Sequence, residues 1–143
     1  MFRFVRAARE APAAPGAYAL LLRLDAPLLV RAGRREALLA PGRYIYCGSA
    51  KGPGGLRARL ASHMRRDNKR AHWHVDRLTI AGVAEGAWIA PGGDECALND
   101  ALRHLPVPIE GFGAADFPRC RAHLRFWPQE KPAPGPGFLP PET

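Results

Sequence analysis

The stretch GRYIYCGSAKGPGGLRARLASH, residues 42–63, decides the fold. Tyr44, Tyr46 and Gly48 fall at every second position of RYIYCG (43–48), so an extended chain puts them on one face. The strand runs into the small residues Gly48, Ser49 and Ala50, then into the glycine loop KGPGG, and a helix opens near Gly55. That helix carries Leu56, Leu60 and Met64 at i, i+4 and i+8, an apolar seam that needs a core to face. Arg59, His63 and Arg66 follow at i, i+4 and i+7, along the edge of the seam. A side chain there is half-buried and still meets a cleft. From Arg57 to Arg70 six Lys or Arg residues stand against one acid, Asp67. Phenols, a small-residue turn and guanidinium groups are thus brought together by one short segment.

Working outward, GAYALLLRL (16–24) alternates. Tyr18, Leu20, Leu22 and Leu24 share one face, and Ala17, Ala19, Leu21 and Arg23 the other. APLLVRAG (26–33) reads as a second strand, followed by an exposed basic turn at Gly33-Arg34-Arg35. Three consecutive strands with short turns predict an antiparallel meander. Downstream, HWHVDRLTI (72–80) reads as a short helix and VAEGAWIA (83–90) as a strand. DECALNDALRHL (94–105) reads as a helix capped by Asp94, and RCRAHLRFW (119–127) as a last strand. The fold class is α/β in the α+β sense, a small antiparallel sheet of three or more strands flanked by helices. Residues 1–127 form a single domain, and the Pro/Gly-rich stretch 128–143 is expected to be a flexible tail.

Composition agrees with one globular domain: 143 residues, 47% apolar. No run of about 18 apolar residues exists to span a bilayer. The N-terminal residues lack the apolar stretch of about 7–15 residues that a secretory signal needs. Three cysteines without framework spacing fit free thiols in a reducing cytoplasm. A net charge of +8 and a pI near 10.3 favour a polyanion, nucleic acid before acidic membrane.

The ordered pattern GAY (16–18), YCGSA (46–50), LRARLASH (56–63), HWHVDRL (72–78) and ECAL (95–98) resembles the GIY-YIG nuclease superfamily. It is most similar to the small stand-alone Uri-type endonucleases, over about residues 14–127. The resemblance implies hydrolysis of a DNA phosphodiester with one divalent cation, Mg²⁺ or Mn²⁺. It assigns Tyr18, Tyr46, Arg59 and His63 to catalysis and Glu95 to the metal. The residues themselves suggest where DNA would lie: along the small Gly48 and Ser49 with Lys51, along the basic helix with Arg57, Arg66, Lys69 and Arg70, and on the turn 33–35, which is expected to grip phosphates. The residue types suit that chemistry. A guanidinium clamps two phosphate oxygens, a phenol or imidazole orients water, and one carboxylate with waters holds Mg²⁺. A non-catalytic nucleic-acid-binding module with the same fold is the alternative.

Glu95 shares a helical face with Leu98, Leu102 and Leu105, so its carboxylate turns inward and needs a partner. His72, His74 and Asp76 lie two apart. A strand would group all three, whereas the expected helix pairs only His72 with Asp76. These histidines, with His123 reaching in from the last strand, are possible supporting groups. Zinc is not expected: Cys96, Cys120 and His123 include no CxxC pair, and Phe117 stands where relatives of the resembled family carry Cys. Cys47 points away from Tyr46, toward the core.

Overall fold

A computed structural model describes residues 2–65, 74–110, 123–128, 133–135, 137, 138 and 141, apart from the side chains of 74–76. The strands are β1 (Arg3–Val5), β2 (Gly16–Leu24), β3 (Leu28–Ala32), β4 (Arg35–Leu39), β5 (Gly42–Ala50), β6 (Val83–Pro91) and β7 (Leu124–Trp127). The helices are α1 (Gly55–Met64), α2 (His74–Ala81) and α3 (Glu95–Asp100). Five strands form one antiparallel sheet in the order β1-β6-β2-β5-β7. The fold is a small α+β domain. No helix among the described residues is long and apolar enough to cross a membrane.

β2 is the central strand and is covered on both faces, as its alternation predicts. Tyr18, Leu20, Leu22 and Leu24 face one core layer with Leu56 and Leu60 of α1 and Leu78 of α2. Ala17, Ala19 and Leu21 face the other, with Trp88, Leu98, Leu102 and Leu105.

The expected meander does not form. β2 pairs directly with β5, Tyr18 opposite Gly48 and Leu24 opposite Gly42. The chain between them leaves the sheet as a separate two-stranded hairpin, β3–β4, turning at Gly33 with φ 62°. Strand β4 has no clear alternation of its own. It becomes a strand by pairing with β3, a contact that local pattern cannot announce.

Helix α3 ends at Asp100, short of the expected 105, and the chain continues in turns. Leu98, Leu102 and Leu105 are still all buried. The buried Arg125 holds this end in place: Nε donates to Asn99 Oδ1 (3.1 Å), and Nη1 donates to the carbonyls of Leu105 (3.1 Å) and Arg103 (3.3 Å). The tail expectation also needs correction. Phe138 is buried against Phe2 and Trp88, with ring centroids 4.8 and 5.6 Å away. Phe2 N donates to Gly137 O at 2.7 Å. One aromatic ring with a large apolar area outweighs the Pro/Gly composition around it.

Candidate active site

Backbone geometry first settles what α1 can offer. Gly54 and Gly55 both have positive φ, 84° and 58°, and carry the chain into the helix. Leu56 N donates to Ala14 O (2.9 Å) and Arg57 N to Pro12 O (3.1 Å). The first amides of α1 are therefore spent on the N-terminal segment, and any grip on phosphate must come from side chains.

Those side chains gather at the end of the sheet where β2 begins and β5 ends. Tyr18 is buried, and its hydroxyl lies 2.7 Å from Nε2 of the buried His63. Burial drives the Tyr18 pKa well above its ordinary 10.0; Tyr46 adds to the rise, Arg59 opposes it, and Glu95 adds again. With the phenol protonated, the bond runs from Tyr18 O–H to Nε2 when the imidazole carries its proton on Nδ1.

Glu95 begins α3 just beyond β6 and is 4% exposed. Its Oε2 stands 3.3 Å from Nδ1 of His123, which is 2% exposed. His123 precedes β7 and is pinned to the sheet by Cys47 N donating to its carbonyl (2.9 Å). The half-buried Tyr46 meets the His123 ring edge-on, with centroids 6.2 Å apart. Two buried polar pairs thus form, Tyr18 with His63 and Glu95 with His123, and the second meets Tyr46. The half-buried Arg59 borders a shallow hollow of about 170 Å³, lined also by Ala50, Gly52, Pro53 and Ser62.

The expected DNA contacts have the following surroundings. A Cβ on Gly48 would stand 2.5 Å from Cζ of Tyr18, so this glycine makes room for the phenol. Arg57 is exposed, but its Nε donates to Ala11 O (2.9 Å). Ser49 is half-buried, and Lys51 is exposed. Arg66, Lys69, Arg70 and His72 lie outside the described residues, as does the side chain of His74. Cys47 is a buried free thiol, its pKa pushed up to about 12 by burial. Cys96 is disulfide-bonded, so the expectation of free thiols fails there.

A family profile described as "Domain of unknown function DUF123" matches residues 17–134. The chain belongs to the DUF123 family. No curated protein and no solved structure matches it. The match takes in every residue of this DUF123 domain's candidate site, from Tyr18 to His123.

Among the described residues no three His, Cys, Asp or Glu side chains group as a ready-made metal site. The donor set is one buried carboxylate oriented by one imidazole. It fits Mg²⁺ or Mn²⁺ bound through a single carboxylate, waters and a substrate phosphate. Sequence reasoning gave no signal for Arg125 and Asn99, which hold α3 in position. Their roles depend on carbonyls 20 and 22 residues away along the chain.

Proposed function

We propose that this DUF123 domain is a metal-dependent endonuclease that hydrolyses DNA phosphodiester bonds. The observation that carries the reading is the meeting of Tyr18 with His63, of Glu95 with His123 and of His123 with Tyr46, with Arg59 one helical turn from His63. In this reading Arg59 binds non-bridging phosphate oxygens from the rim of its hollow. Tyr46, the half-buried phenol, orients the attacking water, and Tyr18 backed by His63 gives its proton a path inward. His123 holds the Glu95 carboxylate in place. Glu95, oriented by His123, would hold a divalent ion, which would supply neutralisation of the charge that develops during hydrolysis. Action in the cytoplasm belongs to the same proposal.

The test is a cleavage assay on single-stranded, duplex and branched DNA with Mg²⁺ or Mn²⁺. Cutting by the wild type that disappears in Glu95→Gln and Arg59→Ala is expected. Tight binding with no cutting of any substrate would overturn the enzyme. It would support a non-catalytic nucleic-acid-binding module, which one observation favours: burial makes the Tyr18 phenolate costly, so that phenol is a poor base.

A further inference from the structure

The large apolar side chains exposed among the described residues are Leu38 (69%), Leu29 (47%) and Ile80 (40%). Leu29 and Leu38 face each other across the β3–β4 hairpin, and Ile80 is on α2, which packs against β3. Between hairpin and helix runs a groove of about 520 Å³ lined by Leu29, Arg31, Gly33 and Arg77. Arg34 and Arg35 are exposed at the hairpin tip, where nothing approaches Gly33. Glu36 is the one acid on the hairpin, and it is tied to Arg31 at 2.6 Å. Four guanidiniums therefore border an apolar strip, and among the described residues only Arg31 has an acid against it.

We infer that this hairpin and α2 form a second contact for duplex DNA, remote from the candidate catalytic end. The inference rests on the nucleic-acid reading of the proposed function. Charge decides the occupant: a second copy would bring four more guanidiniums against these, whereas phosphates neutralise them. A two-stranded ribbon enters the major groove, and leucines pack on sugars and thymine methyls. Placement agrees. The inner residues Val30, Ala32 and Leu39 share a core layer with Leu56 and Leu60 of α1, so hairpin and α1 cover the same face of the sheet. From Tyr18 to Leu24 along β2 is about 20 Å, or roughly six base pairs. One duplex lying along that face reaches both places.

The test is fluorescence anisotropy of a duplex of about two helical turns, titrated at several salt concentrations in EDTA, so that no cleavage is needed. The full chain is compared with a triple variant, Arg34→Ala with Arg35→Ala and Arg77→Ala. Binding about 10- to 100-fold weaker at 0.1 M salt is expected, with a salt slope smaller by about 2–3. Arg34→Ala alone, at the open turn, should lower the slope by about 1 and guards against a misfolded triple variant. An unchanged slope in both variants overturns the inference. So does a pair of results for Leu29→Ser with Leu38→Ser: a lower solution mass and unaltered DNA affinity, which would make this face a contact between copies. A reduced slope with no cutting under any metal leaves the hairpin contact standing and removes the nuclease. Cutting with unaltered binding in the variants does the reverse.

Discussion

Strands β2 and β5 run side by side for nine residues each, yet their two ends treat polar groups in opposite ways. At the Leu24 end, Tyr44 donates to a backbone carbonyl, Ala40 O, at 2.6 Å. Arg23 pairs with Asp25 and Glu85, and Arg43 with Glu85, all within 3.2 Å, the half-buried Glu85 lying between two partly exposed guanidiniums. At the Tyr18 end a phenol meets an imidazole and a carboxylate meets another, and apart from the half-buried Tyr46 these groups are withdrawn from solvent. The first arrangement closes backbone bonds and trims the surface. The second buries titratable groups that the fold does not require, and burying them costs stability. A protein keeps such a cost where those groups act on something else.

Substitutions at the two ends can sharpen or break that contrast. The largest effect is expected for Glu95→Gln. Cleavage should fall by about 10³-fold, roughly 4 kcal/mol of barrier, with the circular dichroism spectrum unaltered. A variant that still cuts at wild-type rate would remove the Tyr18 end from catalysis. Arg125→Ala leaves Asn99 and two carbonyls without their donor, and a stability loss of about 3 kcal/mol is expected in urea unfolding. Tyr18→Phe removes one buried hydrogen bond, at about 1–3 kcal/mol. The double variant with His63→Phe should recover part of that loss, because no imidazole remains buried without its hydroxyl. Less affected in cleavage should be Glu85→Gln at the far end, which leaves cutting unaltered and costs about 1 kcal/mol in urea unfolding, because both of its guanidinium partners keep access to water.

Alkaline pH offers a separate check. The Cys47 thiol rises from 9.0 to about 12 on folding, and the Tyr18 phenol rises well above 10.0, both through burial. Each group stays protonated longer in the folded chain than in the unfolded one. Their contribution is therefore fully present below pH 9, and stability falls as pH climbs through 9–12. Tyr18→Phe should remove the part of that decline above pH 10 and leave the Cys47 part, as read by urea unfolding across the range.

The alternation of GAYALLLRL assigned both faces of β2 correctly, and the seam of α1 placed His63 at a buried edge. Glu95 turned inward as its helical register required. What escaped were relations between distant segments: the bond between Tyr18 and His63, the pairing of Glu95 with His123, and the detour of β3–β4 out of the sheet. The Tyr18 ring laid across Gly48 belongs with these, since only the tertiary structure brings the two together.

By itself, then, the order of residues determined which side chains face inward and which elements they ride on, because period and propensity act over a few neighbours. The tertiary structure alone decided which strand lies beside β2, which imidazole meets which acid or phenol, and that Phe138 returns to the core. Those outcomes are settled by competition among long-range contacts, in which burying a ring or sharing a proton outweighs what any local stretch prefers.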